Sequence, residues 1–247
     1  GYHLEIISAE SVDDVDAEVE RLLKGKQVDG VLLWYGKSLR FTDDLSAHKK
    51  FPYCYVQYER GDTIRHAVVS TNVEGAIDAV TYLHSLGHKD IAIAVFRATQ
   101  EGRLRLQGFQ QAIAAENREL TEDIIIDTTY AANLNDIYVD VAKLKKAISK
   151  CSAIFVTSDL VAVKMIHILK DMGIRVPDDI SLVGFDGLDI GEYIVPTLTT
   201  IKQNGYEIGT RSAQRLLDLM HGRSTKKGVE YISTELVVRG STKPFSG

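Results

Sequence analysis

Polar and charged side chains follow several apolar runs of this sequence, at the points where the runs end. These residues are Asn72, Glu74, Ser158, Asp159 and Asp186. In an open parallel sheet, ligands bind beyond the carboxyl ends of the strands, where such residues converge. Amide, hydroxyl and carboxylate groups in that position can hydrogen-bond a small polar molecule. The pattern therefore predicts a binding site at one edge of a sheet.

Aromatic side chains occupy similar positions. Trp34, the single tryptophan, ends the run at 30–34, and Tyr35 follows it. A tryptophan here either stacks on the apolar face of a ligand ring or fills the core. Tyr130 is a further aromatic candidate, and Gln203 is a further polar candidate where the chain is expected to cross between lobes.

Motifs of catalytic and metal sites are missing from the sequence. The seven histidines and two cysteines have no metal-ligand spacing, so we expect no metal. A Gly-rich phosphate loop, a nucleophile elbow and a convincing catalytic acid pair are also lacking, so we expect no cofactor and no enzymatic activity. Cys54 and Cys151, in apolar surroundings, fit the reducing cytoplasm.

Charge and hydropathy argue against two further classes of protein, those that bind DNA by themselves and those that span a membrane by a helix. The net charge is −5 and no dense Lys/Arg stripe offsets it, so we expect the sequence given not to bind DNA by itself. Its apolar runs are all shorter than the 18 or so residues that a transmembrane helix needs.

Short β-branched runs alternate with segments of helical period, which is typical of a parallel sheet covered by helices. The predicted strands are Leu4–Ser8, Gly30–Trp34, Tyr53–Gln57, Ala67–Val69, Ile91–Val95, Ile124–Asp127, Ala153–Thr157, Ile180–Phe185 and Tyr231–Arg239. The fold class expected is α/β, with two doubly wound parallel-sheet lobes. The alternative, an eight-fold β/α barrel, requires a more regular strand–helix repeat of about 30 residues, which the sequence lacks.

Several segments, in order and over nearly the whole chain, carry a resemblance. They are Val28–Leu33, Gly75–His88, Arg103–Phe109, Gly173–Asp186 and Pro196–Gln203. Together they resemble the lactose-repressor/galactose-repressor family of bacterial transcription regulators.

The resemblance implies a two-lobed fold like that of periplasmic sugar-binding proteins, joined by three crossovers. The N-terminal lobe would comprise 1–94 plus 204–222, and the C-terminal lobe 95–201 plus 226–244. It further implies a small-molecule effector, a sugar or sugar phosphate, bound in the interlobe cleft of a cytoplasmic homodimer. Closure around that effector would be transmitted to a DNA-binding headpiece. By this resemblance, the headpiece, the hinge and the first strand of the family would precede the sequence given.

The resemblance also assigns roles to residues. Arg105 matches the family arginine that forks onto sugar hydroxyls, whereas the alternative is an exposed surface salt bridge. Asp186 matches an aspartate that accepts from hydroxyls, whereas Asp-Gly pairs also form turns. Ser158 stands where many relatives have Asn; its alternative role, shared with Asp159, is to cap a helix. Glu74 and Asn72 would contact the effector from the other lobe, although Asn72 could instead be an N-cap.

The dimer surface implied by the resemblance includes Leu160–Met172 and Glu192–Leu198. Two other classes of protein compete with this interpretation. A periplasmic sugar-binding protein of a transport system would share the fold and be monomeric, and a sugar-metabolising α/β enzyme would turn over its ligand.

Overall fold

The computed structural model describes residues 1–7, 17–18, 21–22, 25, 27–34, 51–58, 66–129, 134–223, 225 and 227–245. Tyr35 and Tyr130 lie outside the described residues. The chain divides into two compact units, and it passes between them three times. The first unit comprises 1–69 and 205–232, and the second comprises 70–204 and 233–247.

The first unit is built on a four-stranded sheet. Its strands are β1 (Val31–Trp34), β2 (Tyr53–Val56), β3 (His66–Ser70) and β9 (Gly228–Ile232), in the order β1-β2-β3-β9. The first three are parallel. One face buries Cys54 and Val68 together with Ile208 of helix α6 (Gly205–Met220). The other buries Leu33 and tyrosines.

The second unit contains a six-stranded sheet in the order β10-β8-β7-β6-β4-β5. The strands are β4 (Ile91–Val95), β5 (Ile125–Asp127), β6 (Ala153–Val156), β7 (Ser181–Asp186), β8 (Thr199–Lys202) and β10 (Glu235–Val237). Neighbouring strands are parallel, except that β10 runs antiparallel to β8. This order leaves the carboxyl ends of five strands at one edge, where ligands of such sheets bind.

Helices cover both faces of this sheet, which explains why its strands are apolar on both sides. Helices α1 (Asn72–Ser85) and α2 (Gln100–Ala115) bury their apolar stripes with Ile93 and Phe155. Helices α3 (Val141–Ile148) and α4 (Asp159–Asp171) pack on the opposite face with Ala94 and Ile154. A short helix, α5 (Ile190–Tyr193), follows β7. The α/β class with parallel-sheet lobes is confirmed.

Two strand predictions are wrong in whole or in part, and one strand was not predicted. Residues 4–7 form no strand, and Leu4 and Ile6 are 76% and 83% exposed, because no described strand lies beside them to complete a ladder. The run Tyr231–Arg239 breaks at Ser233, where the chain passes between units, so it supplies β9 to one sheet and β10 to the other. β8 was not among the predicted strands.

The boundaries of the two units differ from those of the predicted lobes. Residues 70–94 belong to the second unit and 223–232 to the first. Helix α1 is held in the second unit by close packing: a Cβ on Gly75 would lie 2.7 Å from Thr234 Oγ1 and 3.0 Å from Phe185. Since α1 and β4 both join the core of the larger sheet, the boundary precedes them.

Within the described part of the chain, no helix combines the length and apolar character needed to cross a membrane.

Candidate functional site

Arg105 lies on the buried stripe of α2 together with Phe109 and Ala112, at positions i, i+4 and i+7. The helix is fixed at its start by Thr99, whose Oγ1 accepts a 3.1 Å hydrogen bond from the Gly102 backbone N–H. Only 5% of Arg105 is exposed. The alternative of an exposed surface salt bridge is therefore wrong.

The guanidinium of Arg105 contacts the first residue of α1, the residue after β6 and the last residue of β7. Its Nε donates to Asn72 Oδ1 at 2.9 Å, and its Nη1 donates to the Thr157 carbonyl oxygen at 2.7 Å and to Asp186 Oδ1 at 2.9 Å. Its central carbon lies 3.7 Å from the centroid of the Phe185 ring, a cation–π contact. These contacts hold the side chain in one orientation.

Asp186 ends β7 with a backbone φ of +124°, a conformation that side-chain-bearing residues rarely adopt. Its Oδ1 also accepts from Gln203 Nε2 at 2.8 Å, and Gln203 Oε1 accepts from Ser70 Oγ at 2.7 Å. Strained residues held by such contacts cluster at ligand sites, which favours a binding role over a simple Asp-Gly turn.

Two polar atoms of this cluster are left over. Among the described residues, no hydrogen bond is made by Arg105 Nη2 or by Asp186 Oδ2. The pair thus offers one nitrogen donor and one carboxylate acceptor that lack partners within the described part of the chain. A hydroxyl, which can both accept and donate, matches that pair.

Asp159, at the start of α4, has no exposed surface. Its Oδ1 accepts from Thr200 Oγ1 at 2.6 Å and its Oδ2 from the Leu188 backbone N–H at 2.8 Å. Burial raises the pKa of this carboxyl to about 6. Asp159 therefore holds the turn after β7 and presents no surface to a ligand.

Ser158 occupies the N-cap position of α4, but its side chain makes no capping bond. Its Oγ is buried without a hydrogen-bond partner within the described part of the protein. The alternative of a capping side chain is therefore wrong for Ser158.

Asn72 and Glu74 belong to the same unit as Arg105 and not to the other lobe as predicted. Asn72 is buried and is the first residue of α1, with Thr71 at the N-cap position. Its side chain orients Arg105 and, through Nδ2, bonds the Ser70 carbonyl oxygen at 3.3 Å. Glu74 is exposed.

Trp34 lies in the first unit and is 82% exposed, so the alternative that it fills the core is wrong. The structure places Arg105, Asp186, Asn72 and Gln203 in one cluster. Sequence reasoning missed three members of the cluster. Ser70 contributes a hydroxyl, Thr157 a backbone carbonyl and Phe185 a core aromatic ring, and none of these has a distinctive sequence signal.

Glu101 was missed as well. It precedes Arg105 by four residues on α2, and burial raises its pKa, with the charge of Arg105 lowering and that of Asp186 raising it. The i, i+4 spacing was the signal that could have found it. No group of three possible metal ligands occurs among the residues that the structure describes.

The sequence matches a known protein family. Residues 80–242 match the family described as periplasmic binding protein-like domain. The chain belongs to this family.

Relatives of this periplasmic-binding-protein-like chain include named regulators. It is 32% identical over 228 residues to the HTH-type transcriptional repressor CytR of Escherichia coli K12, covering 90% of this chain and 65% of CytR. It is 28% identical to the HTH-type transcriptional repressor PurR of Vibrio cholerae, covering 100% of this chain and 73% of PurR. The chain thus spans about two thirds of these relatives.

A solved structure, a complex of the transcriptional regulator CelR with cellobiose, matches with a TM-score of 0.80 and 26% identity, covering 92% of this chain and 69% of that one. The fold and these relatives confirm the resemblance to the lactose-repressor/galactose-repressor family.

Proposed function

We propose that this chain is the effector-binding and dimer-forming core of a bacterial transcription regulator. It senses a small sugar or related metabolite and acts in the cytoplasm through a DNA-binding segment outside the sequence given. The observation that carries the proposal is the buried Arg105–Asp186 pair, with Nη2 and Oδ2 left without partners among the described residues. The relatives named as repressors, and the neighbour solved with cellobiose, support it.

The cluster is pre-organised for binding. Arg105 is fixed by Asn72, Thr157 and Phe185, so little side-chain freedom is lost when an effector bonds Nη2. The effector hydroxyl donates to Asp186 Oδ2 and accepts from Arg105 Nη2. An analogue without that hydroxyl leaves Arg105 Nη2 and Asp186 Oδ2 without a ligand partner. A site built to hydrogen-bond a hydroxyl discriminates against such an analogue far more strongly than an apolar pocket discriminates against a missing methylene.

Regulation requires that the effector bind one conformation of the whole regulator more tightly than another. The strained end of β7, at Asp186, is the element that an effector would stabilise in one conformation. DNA contact is left to another segment, because this chain carries a net charge of −5.

The proposed dimer surface comprises α4 and the segment 192–198. Tyr193 and Val195 are 83% and 93% exposed, next to the buried Leu198. Large apolar side chains exposed in one short segment are typical of interfaces. We expect the purified protein to sediment as a dimer and Val195→Asp to sediment as a monomer with an unchanged circular dichroism spectrum. A wild-type monomer would favour a transport-type binding protein instead.

The effector role is tested by thermal shift with monosaccharides, disaccharides, nucleosides and purine bases. We expect at least one compound to raise the melting temperature of the wild type and of Arg103→Ala, but not of Arg105→Lys. Arg103 is a matched control, because it is exposed and its side chain, among the described residues, bonds the carbonyl oxygens of Arg97 and Ala98 and no group of the Arg105 cluster. A full shift in Arg105→Lys would remove Arg105 from the site.

A further inference from the structure

The charge around Arg105 is unbalanced. Three carboxylates, those of Asp186, Asp159 and Glu101, act on one another or on this one guanidinium. Asp186 is already paired with Arg105, and Asp159 is buried behind the turn that follows β7. Glu101 is therefore an additional negative charge. The second cation that acts on it is Arg103, which is exposed and forms no ion pair with it among the described residues.

Glu101 is half-buried in the first turn of α2, one turn before Arg105. In the described part of the chain it forms no ion pair, and its carboxylate takes a hydrogen bond from its own backbone N–H. An acid in the first turn of a helix is favoured by the helix dipole, which accounts for its residue type. The dipole does not require burial, since an exposed acid gains the same interaction while keeping its hydration.

Two other cations lie near the cluster, Arg103 along α2 and Lys202 on β8, and both are exposed. Arg103 is exposed and donates to Arg97 O and Ala98 O. Lys202 pairs in register with Asp186 across the β7–β8 ladder, and it is exposed. Within the part of the chain that the structure describes, the carboxylates beside Arg105 therefore outnumber the cations buried with them.

We propose that Glu101 determines the charge of the effector: the site takes a molecule that presents O–H or N–H donors and carries no phosphate or carboxylate. This inference rests on the proposed effector site and narrows it, because it excludes the phosphate esters among sugar-like effectors. The free acceptors, Asp186 Oδ2 and the Glu101 carboxylate, receive donors from the effector, while Arg105 Nη2 supplies one donor in return. An effector phosphate at this place would meet two carboxylates within a partly desolvated site, where like charges repel strongly.

The test uses inorganic phosphate as the probe and does not depend on knowing the effector. Binding is measured by calorimetry on the whole protein at constant ionic strength, with chloride as the reference salt. We expect phosphate binding by the wild type to be too weak to measure, and Glu101→Gln to bind phosphate at least about tenfold more tightly than the detection limit, because one repelling charge is removed without loss of volume. Glu119→Gln, an exposed acid of the same unit, is the matched control and should behave as the wild type.

The location of the bound phosphate is read from the Arg105 Nε–H resonance, which should shift in Glu101→Gln and not in the wild type. Glu101→Ala provides a second variant without the charge. Phosphate binding by the wild type that shifts this resonance would overturn the inference, and so would equal behaviour of the two glutamine variants. Neither result touches the proposed effector role, which is decided separately by the uncharged compounds and Arg105→Lys.

Discussion

Arg105 Nη1 lies 2.9 Å from Asp186 Oδ1 and 2.7 Å from the Thr157 carbonyl oxygen, so one guanidinium joins α2 to the ends of β6 and β7. Arg105, which we propose binds the effector, thus also stabilises the second unit through its own internal contacts. Its replacement changes stability as well as binding, and the two effects must be measured separately.

Arg105→Ala should lower the free energy of unfolding by about 2–4 kcal/mol, because it leaves Asp186 and the Thr157 carbonyl without their shared donor. Urea unfolding of the wild type, Arg105→Ala and Arg103→Ala measures the free energy of unfolding. The Arg103→Ala value should stay within about 0.5 kcal/mol of the wild type. Equal stabilities for Arg105→Ala and the wild type would contradict the buried pair.

Asp159 should make stability fall as pH rises from about 4 to about 6. Its folded pKa, about 6, lies above the usual 3.8, so the folded state holds a proton that the unfolded state has lost in that window. The contribution is on the order of 3 kcal/mol. Urea midpoints of the wild type and of Asp159→Asn at pH 4, 5, 6 and 7 should show this decline as a difference: the wild-type midpoint minus that of the variant should decrease as pH rises.

In Asp159→Asn that decline should be absent, although the variant is less stable because an amide cannot accept on both atoms from Thr200 and Leu188. An identical pH profile in the variant would mean that another group causes the decline.

Gly108→Ala should destabilise the second unit by about 1–3 kcal/mol, because its new methyl would meet the Val73 carbonyl oxygen and lie 2.8 Å from Ala76 Cβ where α2 crosses α1. Gly209→Ala, also inside a helix, has open space around it and should gain up to about 1 kcal/mol of stability. Differential scanning calorimetry compares the pair. Similar effects of both substitutions would argue against the tight helix crossing.

His88 connects the start of β4 to the C-terminal segment: its ring nitrogens bond Ser152 Oγ at 2.8 Å and the Lys243 carbonyl oxygen at 3.0 Å. Burial lowers its pKa, so stability from this group should be lost as pH falls below about 6.5, where the unfolded state takes up the proton first.

His88→Ala should cost about 2–4 kcal/mol and remove this acid sensitivity, as judged from urea midpoints between pH 5 and 7.5. The exposed His167→Ala is the control. A retained acid sensitivity in His88→Ala would assign it to a different group.

The apolar runs by themselves determined the class of fold, because a strand buried on both faces must be apolar at every position, and β4, β6 and β7 are. The polar residues that follow those strands indicated the edge of the sheet at which the candidate site lies, because the carboxyl ends of parallel strands share one edge. That logic found Asp186 and Asn72, and the family motif found Arg105.

Periodicity could not find the break at Ser233 or place α1 in the second unit. The apolar pattern of a strand is the same whichever sheet receives it, and that of a helix is the same whichever sheet it covers. Nor could it show that Asp159 is wholly enclosed while Asp186 keeps one oxygen without a partner among the described residues.

Sequence alone thus settled which residues are polar at the ends of strands, since that follows from local pattern. Only the tertiary structure decided which of them share a hydrogen-bond network. Partners such as Arg105 and Asp186 stand 81 positions apart, and their distance depends on how α2 packs against β7.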